Sequence, residues 1–229
     1  MNCILHIKNS LLISNSLKLN DGTLTSCPIS ISNRLNEHFS SVGASLRNGI
    51  RPTNTSFTTF MKSISQSFVL DGTCGEEIIA SITNLKNTSS SGIDGVSSKF
   101  PKLTKVTIAQ ILAKLFNKSM ESGDYPDCLK ISHIVPVPKR ASPSIPSHYR
   151  PISILPTVSK IFEKIIYARV SNFLNKNKLL TNFQYGFRNN ASIELAVSAI
   201  YESFLESMDQ SESTCAVFLY LSQWFPTFF

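Results

Sequence analysis

The sequence lacks the paired cysteines and histidines that hold structural metal ions. Its five cysteines are scattered without any C-x-x-C pair, and its four histidines stand at positions 6, 38, 133 and 148. This spacing excludes the common zinc signatures. An odd number of isolated cysteines is typical of reduced thiols in an intracellular protein, so we expect nuclear or cytoplasmic localisation and no secretion.

Long hydrophobic runs are also absent. The N-terminal stretch MNCILHIKNSLLIS is interrupted by Lys8 and by several Asn and Ser residues, well short of the ~18 apolar residues that a membrane span requires. We therefore expect neither a signal peptide nor a transmembrane helix. With 42% hydrophobic residues, the chain still holds enough apolar material for a core.

Acidic residues are scarce in the middle of the chain. Residues 99–188 carry fifteen Lys and Arg against four Asp and Glu, a net charge of +11, whereas the rest of the chain carries −4. A field of this sign attracts a polyanion, either a nucleic acid or an anionic membrane surface. The solvated face of ordinary helices explains the same charge equally well.

Residue patterns in the first half predict one hairpin and three helices. Asp21-Gly22 stands between short alternating runs and predicts a hairpin over 16–26. Apolar residues at helical spacing predict a helix over 28–47, and a polar connector follows at 51–68. Thr73 and Glu76 form a capping-box pattern that opens a helix through Leu85. A third helix carries an apolar stripe from Ile108 to Phe116 and fades at Gly123.

The second half is predicted to begin with a basic hairpin. Residues 131–137 form a strand that Pro136 and Pro138 confine to a sheet edge, and YRPISIL forms its partner after a polar loop. A helix begins near Pro156. The residues on its buried side are Val158, Ile161, Phe162, Ile165, Val170 and Phe173. Another helix follows over 193–204, and Val217 to Phe225 complete the pattern as a buried strand. The sequence therefore predicts a helix-rich α+β fold.

Several motifs occur together and in a fixed order. They are GIDG, VPVPK, YRPISILPTVSKIFEKII, QYGFR and a terminal stretch that fits FLxLSxxF. In this order and at these spacings, the sequence resembles the reverse transcriptases of non-LTR retrotransposons, the jockey-like LINE elements. The resemblance implies the fingers and the start of the palm of a right-hand polymerase. It divides the chain into a pre-polymerase segment and connector at 1–70 and a partial, truncated reverse transcriptase domain at 71–229.

The resemblance also implies roles for single residues. Lys139 and Arg150 match the fingers residues that lie over the incoming triphosphate, which an arginine fork and a lysine charge suit chemically. The alternative is two solvated charges on a strand pair. The template path is implied for QYGFR, where a glycine permits close approach and an aromatic or arginine packs on bases. Its candidates are Gln184, Gly186, Phe187 and Arg188, although Phe183 and Phe187 also suit an ordinary core.

Tyr220 decides what is expected of catalysis. In the family, the strand that matches residues 217–225 carries aspartate at this position, and that aspartate binds the catalytic Mg²⁺. A neutral phenol is a poor ligand for Mg²⁺, which prefers carboxylate oxygens. The second catalytic segment of the family, an aromatic-x-Asp-Asp turn, does not occur in these residues either. We therefore expect no catalytic residue and no metal or other cofactor in this chain.

The function expected from these features is that of a truncated RNA-directed DNA polymerase of a mobile element, inactive on its own. Its partners would be an RNA template or an RNA/DNA hybrid and a deoxynucleoside triphosphate, with no membrane partner. One alternative is a non-catalytic module that holds RNA or an RNA/DNA hybrid. Another is a poorly folded pseudogene product without function.

Overall fold

The computed structural model describes residues 16–51, 53–60, 65–88 and 90–219. Helices dominate this part of the chain, and two small antiparallel hairpins accompany them. This composition agrees with the predicted helix-rich α+β class. The described elements are β1 (Leu17–Lys18), β2 (Leu24–Thr25), α1 (Pro28–Gly49), α2 (Gly75–Thr83), α3 (Lys99–Ser122), β3 (His133–Pro138), β4 (Tyr149–Ile154), α4 (Thr157–Lys176) and α5 (Ile193–Asp209).

The chain divides into two compact units, Met1–Arg169 and Val170–Phe229. Helix α4 begins in the first unit and ends in the second. The boundary that the sequence indicates near residue 70 lies within the first unit. It remains a prediction about the functional division of the chain.

The main core of the first unit lies between helices α2, α3 and α4. Phe116 and Phe162 stack there with ring centroids 4.3 Å apart. Burial of each such side chain stabilises the fold by about 1.5–3 kcal/mol. This core confirms the helical stripes over 78–82 and 161–165. In the third helix it contains Leu112 and Phe116 of the predicted stripe, whereas Ile111 and Leu115 are exposed. Its buried members are Ile78, Ile82, Ala109, Leu112, Ala113, Phe116, Ile161, Phe162 and Ile165.

A second, smaller core joins the N-terminal elements to the basic hairpin. Strands β1 and β2 form the predicted hairpin around the Asp21-Gly22 turn. Ile31 and Leu35 of α1 are buried together with Leu17 and with Tyr149 of β4. The backbone N–H of Lys18 donates to the carbonyl of Ser144 at 2.8 Å. Residues 16–49 are therefore packed directly against the hairpin.

The predicted capping box at the start of α2 is wrong. The helix begins at Gly75 with Cys74 as its N-cap, which makes no side-chain cap bond. The Thr73 hydroxyl donates to Glu77 Oε2 at 2.6 Å, while the Thr73 N–H donates to Asn117 Oδ1 at 2.7 Å. Glu77 is held in this place by Arg169, so the threonine meets Glu77 rather than Glu76.

Three prolines occupy equivalent positions in the basic hairpin. Pro136 lies directly opposite Pro151, and Pro138 lies opposite Tyr149. The N–H of Lys139 donates to the carbonyl of its partner His148 at 2.7 Å. Because hydrogen-bonded and non-bonded pairs alternate along an antiparallel ladder, the three prolines fall at positions whose N–H would point away from the partner strand. The ladder therefore loses no bond to them.

The second unit contains α5, whose first turn is capped by Ser192, since its Oγ accepts from the N–H of Leu195 at 3.3 Å. The prediction of a buried strand is wrong for Val217 to Leu219, which are irregular and 79–89% exposed. A strand needs a neighbour for its backbone groups, and the paired strands in the described part of the chain are β1 with β2 and β3 with β4. The rest of the predicted strand lies outside the described residues.

Candidate functional site

The two fingers candidates lie on the same face of the β3–β4 hairpin. Arg150 is directly opposite Val137, and Lys139 follows Val137 by two residues. Because side chains alternate between faces along a strand and cross-strand partners share a face, Lys139 and Arg150 are diagonal neighbours. Both are exposed, whereas Tyr149 on the opposite face is fully buried. The structure therefore brings these two predicted residues together on the outward face.

Lys139 is held at the end of this face by the polar loop. Its Nζ donates to the carbonyl of Ser147 at 2.9 Å. Partial burial, and after it the charges of Arg150 and Arg140, lower the pKa of Lys139. These cations repel one another, and a bound anion would relieve that repulsion. An anion of high charge is the ligand that suits this end of the hairpin.

Helix α1 packs on the Tyr149 side of the hairpin and carries two further basic residues that the sequence patterns did not single out, Arg34 and His38. His38 is half-buried, and burial together with the charges of Arg34 and Lys139 lowers its pKa. Arg34 and His38 are four residues apart and therefore neighbours on one flank of the helix. That spacing, beside the predicted apolar positions Leu35 and Phe39, is the signal in the sequence that could have identified them.

The GIDG motif forms a loop that lies against the start of α4. A Cβ atom added to Gly92 would come within 2.5 Å of the backbone nitrogen of Pro156, so the close approach requires glycine. The buried Thr157 hydroxyl donates to the carbonyl of Val96 at 3.0 Å. Because β4 ends at Ile154, this contact joins the loop to the base of the hairpin.

The four template candidates share one exposed loop of the second unit. Gln184 Nε2 donates to the carbonyl of Gly186 at 3.3 Å, and Arg188 Nη1 donates to the carbonyl of Thr181 at 2.7 Å. Phe183 and Phe187 are 87% and 89% exposed, so the alternative that they belong to a core is wrong. The side of Gly186 that a Cβ would occupy is open space. A role of this loop in template binding remains a prediction.

Arg169 is the basic residue of α4 with the most specific contacts. Its guanidinium donates to both carboxylate oxygens of Glu77 and to the carbonyls of Gly72 and Asp71. The bond from Arg169 is the main reason that the pKa of Glu77 is lowered. Arg169 therefore links α4 to the start of α2, and its role is structural.

Residues that could hold Mg²⁺ are not grouped in the part of the chain that the structure describes. Tyr220 lies outside the described residues, and the whole stretch from Val217 to Phe229 contains no carboxylate. Within the described ranges, no three His, Cys, Asp or Glu residues are grouped so that they could hold a metal ion. The expectation that this chain holds no Mg²⁺ remains a prediction.

None of the described helices is both long enough and apolar enough to cross a membrane.

Comparison with curated proteins finds relatives among retrotransposon polymerases. Over 151 residues the chain is 31% identical to the Drosophila melanogaster protein named "Probable RNA-directed DNA polymerase from transposon BS". The matched region is 66% of this chain and 17% of that protein. It is 28% identical over 151 residues to "RNA-directed DNA polymerase from mobile element jockey" of the same organism, covering 66% and 16%. A third relative there is "Probable RNA-directed DNA polymerase from transposon X-element", 26% identical over 144 residues, covering 62% and 16%.

These comparisons confirm the resemblance to non-LTR retrotransposon polymerases that the motifs indicate. The sequence matches no protein-family model. The chain spans about one sixth of the length of the three relatives.

Proposed function

We propose that the chain is a fingers fragment of an RNA-directed DNA polymerase of a non-LTR retrotransposon, which binds nucleic acid and a deoxynucleoside triphosphate but does not catalyse. Its similarity to retrotransposon polymerases supports the class. The observation that carries the binding role is the placement of Lys139 and Arg150 on one outward face of the hairpin.

Triphosphate binding follows from the chemistry of this face. The guanidinium of Arg150 offers paired N–H donors for two phosphate oxygens, while Lys139 supplies a compact positive charge. The mutual repulsion of the cations disfavours the empty site and favours a site that holds an anion. The loop bond from Lys139 to Ser147 keeps the ammonium near the hairpin before the ligand arrives.

Nucleic-acid binding is supported by two independent features. The net charge of +11 over 99–188 provides a general attraction to phosphates. The exposed ring of Phe187 provides a surface on which a single-stranded base can stack, worth about 1–3 kcal/mol per base. We propose an RNA template or RNA/DNA hybrid as the partner, with QYGFR along its path.

The proposed lack of catalysis rests on Tyr220. A polymerase of this class uses two metal ions held by carboxylates, and these residues do not fit such a site. The same substitution favours a second candidate function, a non-catalytic module that holds RNA or an RNA/DNA hybrid. The two candidates differ in triphosphate binding, which only the polymerase fragment needs.

Binding measurements on two double variants test the proposal. Replacing Lys139 and Arg150 by alanine should weaken binding of a deoxynucleoside triphosphate at least tenfold more than binding of RNA. The matched control replaces Lys114 and Lys118, two exposed lysines of α3, and removes the same charge elsewhere. It should affect RNA alone. If the hairpin variant lost affinity equally for the triphosphate and for RNA, Lys139 and Arg150 would be general surface charges and not a triphosphate site.

Primer extension tests the catalytic part of the proposal. The 229-residue chain should extend no primer on an RNA template with Mg²⁺ or Mn²⁺, and Tyr220→Asp alone should not restore extension. A chimera that appends a palm from a related polymerase should extend only with Tyr220→Asp, because the two metals need carboxylates from separate segments. Metal-dependent primer extension by the unmodified chain would contradict the proposed lack of catalysis.

A further inference from the structure

Ser142 lies in the polar loop that joins β3 to β4. The four residues from Lys139 to Ser142 are all exposed, whereas the next residue, Pro143, is buried. The Ser142 hydroxyl makes no hydrogen bond within the part of the chain that the structure describes. An enzyme that modifies side chains therefore finds this hydroxyl accessible.

The backbone on both sides of this exposed segment is held in place. The N–H of Lys139 donates to the carbonyl of His148 at 2.7 Å and closes the loop at its base. The hydroxyl of the buried Tyr149 donates to the carbonyl of Pro143 at 3.4 Å. Residues 140–142 thus form a short exposed segment between two fixed ends.

The local sequence around Ser142 occurs once in this chain. Ser142-Pro143 is the one place in the 229 residues where proline follows a serine or a threonine. Proline disfavours a helical conformation in the residue before it and keeps that residue extended. Proline-directed protein kinases select a serine or threonine that is followed by proline, and they bind it in an extended, exposed segment. Ser142 meets both requirements.

Three cations of the hairpin lie close to Ser142. Arg140 and Lys139 precede it by two and three residues, so covalent geometry alone places their Cα atoms within about 7 and 11 Å of its own. Arg150 shares the outward face of the hairpin with Lys139. A phosphoserine carries about −1.5 to −2 charges and three acceptor oxygens, which suit ammonium and guanidinium donors.

We propose that Ser142 is a phosphorylation site for a proline-directed protein kinase, and that its phosphate neutralises the hairpin anion site and weakens triphosphate binding. The second part rests on the proposed function, because it takes the anion site of Lys139 and Arg150 as given. The first part does not depend on it.

The modification transfers the γ-phosphoryl group of ATP to the serine. The Ser142 Oγ forms a bond to the γ-phosphorus while the bond from that phosphorus to the β–γ bridging oxygen breaks. ADP leaves, and the hydroxyl proton passes to the catalytic base of the kinase.

The phosphate acts on the anion site through charge. Lys139, Arg140 and Arg150 together contribute +3, and a dianionic phosphate lowers this sum to about +1. It also accepts hydrogen bonds from the same N–H groups that a triphosphate would use. The separations are comparable with the Debye length of about 8 Å at physiological ionic strength. We therefore expect triphosphate affinity to fall about three- to tenfold at low ionic strength and by less at high ionic strength.

Phosphorylation of the full 229-residue chain in vitro tests the first part. The chain is incubated with ATP and, separately, with a mitogen-activated and a cyclin-dependent protein kinase, and tandem mass spectrometry locates the phosphate. We expect it on Ser142 and expect none on that loop in Ser142→Ala. The matched control Ser144→Ala removes another exposed hydroxyl of the loop and should leave phosphorylation of Ser142 unchanged. An unmodified Ser142 after treatment with both kinases would overturn the proposal.

Binding of deoxythymidine triphosphate before and after kinase treatment tests the second part. The phosphorylated chain should bind about three- to tenfold more weakly at low ionic strength, and phosphatase should restore the original affinity. Kinase treatment of Ser142→Ala should change nothing. Equal affinity of the phosphorylated and unphosphorylated chains would overturn the neutralisation. If the unphosphorylated chain bound no triphosphate, the proposed function and the second part would both be wrong, while phosphate found on Ser142 would still support the first part.

Discussion

Gly92 offers a sharp test of how the GIDG loop is held. In Gly92→Ala the new Cβ would lie 2.5 Å from the nitrogen and 2.7 Å from the Cα of Pro156. Both are backbone atoms, so no side-chain rotation relieves the clash. The loop must instead move by about 1 Å to restore an ordinary van der Waals contact.

The cost follows from this movement. Overpacking of a well-packed site costs about 1–3 kcal/mol. A shift of about 1 Å would also carry the carbonyl of Val96, now 3.0 Å from the Thr157 hydroxyl, beyond hydrogen-bonding distance. Loss of that bond costs about 1 kcal/mol. We expect Gly92→Ala to lower the free energy of unfolding by about 2–4 kcal/mol, a large share of the 5–15 kcal/mol of a typical domain.

Urea denaturation followed by far-UV circular dichroism measures this change against two matched glycines. Gly95 has a φ of +70° and open space around it, so Gly95→Ala should cost only the left-handed backbone penalty of about 1–2 kcal/mol. Gly186 has open space and no left-handed φ, and Gly186→Ala should be near neutral. A Gly92→Ala variant as stable as Gly186→Ala would refute the close approach of the loop to α4.

Four further predictions concern charge and stacking. Arg169→Ala should destabilise the chain by about 2–3 kcal/mol in thermal unfolding, because it leaves the partly buried carboxylate of Glu77 without its partner. The pKa of Glu77 is lowered in the folded state, so its contribution is present above the unfolded pKa near 4.3. The stability difference between the unmodified chain and Glu77→Gln should therefore shrink as the pH falls through the folded pKa. RNA binding should weaken linearly in a log–log plot against salt, with a slope near −0.7 for each phosphate contacted on a single strand, and a slope near zero would contradict an electrostatic interface. Phe187→Ala should weaken binding of single-stranded RNA about five- to a hundredfold while leaving unfolding unchanged, whereas a loss of stability would indicate a structural role for the ring.

Periodicity predicted the helices and hairpins because their signals are local. The spacing of Ile31 and Leu35, or of Ile161 and Ile165, identifies the face that becomes buried without any knowledge of the partner. The diagonal placement of Lys139 and Arg150 required only that the two strands pair around the polar loop.

Contacts between distant residues could not be predicted in this way. Arg169 reaches Glu77 across 92 positions, and this bond explains why Thr73 does not form the predicted capping box. The exposure of Phe187 also has no local signature, since an aromatic beside a glycine suits either a core or a surface. A buried strand at Val217 was predicted from alternation, but alternation does not specify which strand would pair with it.

The prolines of the basic hairpin have a consequence for association between chains. Each strand of a two-stranded sheet has one edge whose backbone groups point away from its partner, and another strand can add there if that edge is exposed. In β3 the outward-pointing positions are 134, 136 and 138, and proline removes the donor at two of them; Pro151 removes one from β4. Ile134 and Pro136 are also buried, so the N–H of Ile134 has little access to an added strand. These prolines thereby protect the hairpin that presents Lys139 and Arg150 from edge-to-edge aggregation, and they remove no hydrogen bond between β3 and β4.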